Sequence, residues 1–430
     1  MTRLWLAVIA VCVAPAANAQ TGVPAVDSAA VARAAWREAA RAATPAATLA
    51  HLAHAARAWP VQPAYWSGMA VAAAQAGDAA QLVESLTRLA GLGAGTGVID
   101  DGAVIRMSTA PGVAGALRRL RDATSDVVAG KVIRTSSDST VFPEGVDADG
   151  ASGRIYVASI RHHTVYAVSP DGTWRDLALY RAPRIGAVLG VRVARGGTSL
   201  WVTTVGLPQM RDYTPADSSL AALLLVRAAD GTIERRWDLP DDGNLHVLGD
   251  LAVGPAGDVF MTDSRQPVVY RLRPGADSFE TVRHPLFRSL QGAAATPDGR
   301  FLYVADYSHG LLRIELRTGA VVRLTDAPGT TSLGVDGLLL DRHSLIGVQN
   351  GLSPARIARF TLTPDGVGIS RVDVLDRQPG VADEPTIGTL LDGGYLYVAN
   401  SQWEKYDAAG QRRDGTRLAP TRLIRIPLSP

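Results

Sequence analysis

Two carboxylates and one carboxamide recur at the same place of a repeated segment, and these side chains are suited to hold a hard cation. They are Glu144, Asp336 and Gln291. Carboxylate and amide oxygens are the ligands that Ca²⁺ prefers. If symmetry relates the repeats, the three side chains converge on the symmetry axis. The pattern therefore predicts a divalent-cation site, and the alternative is that these side chains cap strand ends or bind channel water.

The repeat that carries them is a short β-rich segment found six times after residue 131. The copies start at residues 155, 200, 259, 302, 345 and 396. Each follows a Gly- or Asp-containing turn and a short apolar run, and most precede two further strand-like runs. Four strands per 40–50 residues is typical of a propeller blade. We therefore expect a mainly β fold, a six-bladed β-propeller with four-stranded blades.

The ends of the repeat predict how the ring closes. The sixth copy stops at residues 423–427, which form only its third strand, whereas Lys131–Thr135 is a strand without a blade. Pairing this strand into the last blade removes an exposed edge. The propeller should then span residues 129–430.

Propeller topology also predicts which residues face the channel and which overhang it. The residue that opens each inner strand points to the channel mouth, and across the six copies this position holds Glu144, Leu189, Gly249, Gln291, Asp336 and Ile387. Long insertions at residues 205–219 and 401–419 should cover the same face of the ring, so Tyr213 and Trp403 in these insertions are expected to bind ligand. The alternative is that the two insertions are surface loops without a function. His162, in a turn on that face, is a further candidate for ligand binding, and His246 is a candidate for a general base. The alternative for both is a solvent-exposed loop histidine without such a role.

The first 128 residues have a different character. Residues 1–19 have the charge, apolar run and Ala-Asn-Ala site of a signal peptide, which predicts an exported, periplasmic or secreted protein. Residues 20–128 are Ala-rich with helical periodicity, and the turn at residues 76–80 resembles that of tetratricopeptide repeats. This domain either binds a protein partner or only packs on the propeller. The single cysteine, Cys12, excludes disulfides within the chain.

Residues 131–427 resemble the senescence marker protein/gluconolactonase group of six-bladed propellers, and also NHL-type propellers. The resemblance rests on Phe142-Pro-Glu-Gly145 and Val335-Asp-Gly337. It implies lactone or ester hydrolysis with a divalent cation held by a Glu, an Asp and two Asn. Glu144 and Asp336 match, whereas Gly249 and Gln291 stand where the group has Asn.

These observations predict a metal-dependent lactonase or esterase, with Asp336 and His246 as catalytic residues and Ca²⁺ as the expected cation. The substrate would be a small lactone or ester. The competing interpretation is a non-catalytic binding module with a degenerate metal site, because propellers serve both roles. With 43 basic and 41 acidic residues, net charge +2, the chain has no global field that would attract nucleic acid.

Overall fold

The computed structural model describes residues 27–428. The expected signal peptide and Cys12 lie outside this range. Within it, no helix is long and apolar enough to cross a membrane.

The N-terminal region is helical, as predicted. Its six helices are α1 (Ser28–Arg41), α2 (Pro45–Ala58), α3 (Pro63–Ala76), α4 (Ala79–Leu92), α5 (Gly102–Arg106) and α6 (Val113–Ala123). Helix α3 ends at Gly77, whose φ of 73° favours glycine, and the Asp78 side chain caps α4 by accepting from Gln81 N at 3.0 Å. Leu82, Leu86 and Leu89 are fully buried on one face of α4, where they form part of the helical core.

Residues 131–427 form six four-stranded antiparallel sheets, which confirms the predicted six-bladed propeller. The strands are β1 (Lys131–Thr135), β2 (Pro143–Asp149), β3 (Arg154–Ser159), β4 (Thr164–Val168), β5 (Trp174–Asp176), β6 (Ala187–Val193), β7 (Ser199–Val205), β8 (Ala221–Arg227), β9 (Ile233–Asp238), β10 (Leu248–Val253), β11 (Val259–Asp263), β12 (Val268–Leu272), β13 (Glu280–Val282), β14 (Leu290–Ala295), β15 (Phe301–Asp306), β16 (Gly310–Glu315), β17 (Val321–Arg323), β18 (Leu338–Asp341), β19 (Ser344–Gln349), β20 (Arg356–Leu362), β21 (Ile369–Asp376), β22 (Gly388–Leu391), β23 (Gly394–Val398) and β24 (Arg422–Pro427). Blades 1 to 5 take four consecutive strands each, starting at β2. The strand-like segments found in the sequence are the second strands of the six blades.

Blade 6 has the order β1-β24-β23-β22, so the N-terminal strand closes the ring as predicted. Lys131 pairs with Arg425 and Thr135 with Arg422. The Asp376 carboxylate binds the two residues that precede β1, because its Oδ1 accepts from Ala129 N at 2.9 Å and from Gly130 N at 3.0 Å. The closing strand is therefore fixed to blade 5 as well as to its own blade.

The two long insertions form loops over one face of the ring. Gln209 in the β7–β8 loop donates to the Asp407 carbonyl in the β23–β24 loop at 3.0 Å. Gly410 approaches Pro208 so closely that a Cβ would clash with its backbone. The two loops thus form one cover over the channel mouth.

Candidate functional site

A cavity of about 470 Å³ opens at the channel mouth, beneath the two long loops. Five of the six inner-strand positions identified from the sequence line it: Glu144, Leu189, Gly249, Gln291 and Asp336. Ile387, the sixth, is buried and is absent from the wall. The blade repeat thus brings the two expected carboxylates and the amide into one pocket.

Glu144 lies on β2, is buried and lines this pocket. The indole of Trp403 donates to its Oε2 at 2.8 Å. Burial and, next, the charge of Asp336 raise the pKa of Glu144 well above its usual range, and the bond from Trp403 opposes this. A group that binds here and carries positive charge would favour the ionised carboxylate.

Asp336 precedes β18 and accepts from Asn350 Nδ2 at 2.7 Å. The same amide nitrogen donates to the Pro385 carbonyl at 2.9 Å, so its orientation is determined. The other amide atom, Asn350 Oδ1, is buried without a hydrogen-bond partner. Burial raises the pKa of Asp336 to about 7, the charges of Asp250 and Glu384 add to this, and the Asn350 bond opposes it. Asn350 therefore presents an unused oxygen beside an easily protonated carboxyl group.

Glu384 stands at the mouth of the pocket with Asp383 and Glu404. Burial, and then repulsion from Glu404, raises the pKa of Glu384 to about 7. At neutral pH this carboxyl group exists in both protonation states, which is what a general acid or base requires.

The wall on the side of blades 2 and 3 contains the apolar Leu189, Leu207 and Val247, together with Ser264 and Arg265 of the β11–β12 loop. Trp403 covers the pocket, and its ring packs edge-on against Phe142 with 5.0 Å between centroids. The pocket therefore combines an acidic side with an apolar patch and one basic residue, Arg265.

A further charged pair includes Asp250, the chain neighbour of the pocket-lining Gly249. Arg192 and Asp250 form a buried ion pair with a shortest distance of 3.0 Å. Burial raises the pKa of Asp250 to about 6, although Arg192 acts in the opposite direction. The Asp147 carboxylate takes no part in this ion pair, and its hydrogen bonds come from Val193 N at 2.7 Å and from the Thr389 hydroxyl.

His246 does not line the pocket, which argues against its expected role as a base. Its Nδ1 lies 2.6 Å from Asp263 and its Nε2 lies 3.1 Å from Asp242. The bonds to Asp263, followed by those to Asp242, raise its pKa. With both ring nitrogens paired to carboxylates, His246 connects the link between blades 2 and 3 to β11.

Two of the expected ligand-binding residues also lie elsewhere. His162 is buried between Tyr166 OH at 2.7 Å and Thr140 Oγ1 at 3.1 Å. Tyr213 packs partly buried against the apolar cluster beneath the covering loops. Trp403, the third candidate, is the only one of these three that lines the pocket.

Sequence reasoning missed Asn350, Tyr307 and Ser264, which share one position. Each directly follows the second strand of its blade, in blades 5, 4 and 3, and each lines the pocket. That shared position was readable from the repeat. Among residues 27–428, no three His, Cys, Asp or Glu side chains form a metal-binding group, so amide oxygens would have to complete any cation site.

No family model matches the chain, and no curated protein matches it. Solved structures that it resembles include a gluconolactonase from Xanthomonas campestris (16% identity, 67% of this chain and 87% of that chain, TM-score 0.44). They also include regucalcin, a calcium-binding protein from Agrobacterium tumefaciens (15%, 69% and 96%, 0.45), and virginiamycin B lyase from Staphylococcus aureus (14%, 69% and 98%, 0.46). These likenesses concern the fold, and no residue role is taken from them.

Proposed function

We propose that this protein is a divalent-cation-dependent hydrolase of lactones or esters, with its active site in the pocket at the channel mouth. The observation that carries the proposal is the convergence of Glu144 and Asp336 beside the unpartnered Asn350 Oδ1. Glu144 is buried and Asp336 lines the pocket, the pKa values of both carboxyl groups are raised, and a cation bound between them and the free amide oxygen would stabilise their ionised forms.

The donor set fits a hard cation such as Ca²⁺. Glu144, Asp336, Gln291 and Asn350 offer carboxylate and amide oxygens only, and Ca²⁺ accepts water in its remaining positions. Gly249 leaves space for such water, because a Cβ there would meet only Gln291 Oε1, at 3.6 Å. A bound divalent cation would polarise a carbonyl oxygen and acidify a water molecule.

The protein's own residues supply the remaining chemistry. Glu384, whose pKa is about 7, is suited to take a proton from attacking water and return it to the leaving oxygen. Asp336, the other residue expected to be catalytic, would be held in its ionised form as a ligand of the cation. Leu189, Leu207 and Val247 offer an apolar surface to the non-reacting part of the substrate, while Trp403 orients Glu144. In this proposal Glu384 takes the role first expected of His246.

A non-catalytic ligand-binding module is the second candidate. It is favoured by Gly249 and Gln291, which stand where the resembling group has Asn, and by the finding that no three His, Cys, Asp or Glu side chains of residues 27–428 are arranged to hold a metal ion. In that case the pocket would bind its ligand without a bond being broken.

Thermal unfolding and hydrolysis assays separate these functions. We expect Ca²⁺, Mn²⁺ or Zn²⁺ to raise the melting temperature of chelator-treated wild type, and Glu144→Gln and Asp336→Asn to abolish the rise. The same cation should support turnover of small lactones or aryl esters. A cation-induced rise without turnover would select the binding module, and no rise with any cation would refute the cation site.

The cellular context is part of the proposal. The Ala17-Asn18-Ala19 site supports export with a mature chain that begins at Gln20. A small lactone or ester is the proposed partner of the pocket.

A further inference from the structure

The helical domain docks on the loop that follows the second strand of blade 5. Leu352 of this loop is buried inside the core of the helical domain. The Ser353 carbonyl accepts from Gly95 N at 2.7 Å and from Thr96 N at 3.2 Å. Arg356 donates to the Leu92 carbonyl at 3.1 Å, at the end of α4.

The matching loop of blade 4 makes a second contact with the helical domain. Arg33 Nη1 lies 2.9 Å from His309 Nε2, and the Trp59 ring packs edge-on against the same imidazole. Because arginine can only donate, Nε2 accepts and the proton is on Nδ1, which donates to the Leu286 carbonyl at 2.8 Å. His309 is buried, so these contacts define its orientation.

Both loops also supply residues to the pocket, and the spacing is the same. Tyr307 and Asn350 face the pocket, while His309 and Leu352, two residues later, face the helical domain. The loops are joined to each other through Gly334, whose amide donates to the Tyr307 carbonyl at 2.8 Å and whose carbonyl accepts from Gly351 N at 3.0 Å. A Cβ on Gly351 would lie 2.8 Å from the Tyr307 ring, so the fit tolerates little movement.

We infer that the helical domain is a positioning element for the pocket, and that Leu352 and His309 are the positioning residues through which it acts. Docking holds Asn350 against Asp336 and Tyr307 against Gly351, so undocking must disturb the amide oxygen that the cation would use. This inference rests on the proposed function and extends it. By linkage, filling the pocket must in turn strengthen docking of the helices.

The test uses the full chain with Leu352→Ala, which weakens docking without altering a pocket residue. We expect the dissociation constant for Ca²⁺, measured by calorimetry, to rise roughly tenfold, as for other residues that orient metal ligands. Leu352→Met should restore binding. Leu224→Ala, in β8 of blade 2, is the control, since it truncates another buried leucine, which lies away from the helical domain, and should lower stability without changing the affinity.

Hydrogen exchange gives a readout that does not need the cation. Leu352→Ala should speed exchange of the Gly351, Gly334 and Asp336 amides, which donate to the carbonyls of Gly334, Tyr307 and Val348 respectively. Arg33→Met, which keeps the helix but loses the bond to His309, should do so to a smaller degree and remains informative if Leu352→Ala fails to fold. Unchanged exchange in both variants would overturn the inference. If wild type binds no cation but exchange still responds, the cation site fails and the positioning role stands.

Discussion

Replacing Asp336 with Asn should make the cation-free protein more stable while removing its response to cations. The pKa of Asp336 rises from an ordinary 3.8 to about 7. Since the folded pKa is raised, the stability contributed by this group is present near pH 4 and is lost as the pH rises through about 7. Each pKa unit corresponds to about 1.4 kcal/mol, so the ionised group costs up to roughly 4 kcal/mol at pH 8.

Asn avoids this cost because it keeps the shape of the side chain and an oxygen that can accept from Asn350. At about 2 °C per kcal/mol for a domain of this size, the melting temperature of Asp336→Asn should exceed that of wild type by up to about 8 °C at pH 8. At pH 4.5, less than one pH unit above the ordinary pKa, the cost is about 1 kcal/mol and the difference should fall to about 2 °C. Calorimetry in chelator at both pH values measures it.

Asp147→Asn is the control for this experiment. Asp147 lies on the same inner strand as Glu144, but its carboxylate already accepts from Val193 N and Thr389. Its replacement should destabilise the protein by about 1–3 kcal/mol. If Asp336→Asn also lowered the melting temperature at pH 8, Asp336 would be a structural carboxylate and the reasoning for a ligand site would fail.

Three further predictions concern the pocket and the chain's N-terminus. Gly249→Asn adds an amide at a position where a Cβ would meet only Gln291, so the cation affinity measured by calorimetry should rise several-fold. Gly292→Ala is the contrasting variant: it should destabilise the protein, because its Cβ would lie 2.3 Å from Leu338 N. Unchanged cation affinity in Gly249→Asn would exclude position 249 from the site. Trp403→Phe keeps the packing on Phe142 but loses the hydrogen bond to Glu144. This loss should raise the pKa of Glu144 further and weaken cation binding about 3- to 10-fold, with the largest loss of affinity at low pH. If the variant binds the cation as tightly as wild type does, Trp403 is not part of the site. N-terminal sequencing of exported protein should begin at Gln20, and retention of Met1 would contradict the proposed cleavage.

The fold was predictable because the blade repeat is a local signal. Alternating apolar residues between Gly and Asp turns mark each second strand, and a missing last strand together with the unpaired Lys131–Thr135 indicates the closure. The equivalence of Glu144 and Asp336 followed from the same register. Both depend on order along the chain, which a sequence displays directly.

The remaining parts of the site depend on contacts between distant segments. His246 stands before an inner strand, as a base above the pocket would, yet Asp242 and Asp263 occupy both of its ring nitrogens. Glu384 obtains its raised pKa from burial and from Glu404, which a long loop brings to it. The surroundings of these side chains depend on loop conformations, which leave no periodic pattern in the sequence, so they could not be predicted from it.

The closing strand has a consequence for the order in which the molecule forms. β1 leaves the ribosome before any other strand of the propeller, but its partner β24 is made last, and Lys131 meets Arg425 across nearly the whole domain. Such distant pairing is slow because loop closure must come first. The helices, whose contacts are mostly local, can assemble while the ring is still open. Pulse-labelling during refolding should therefore find the β1 and β24 amides protected last, and early protection there would show that the two ends of the propeller associate before its blades.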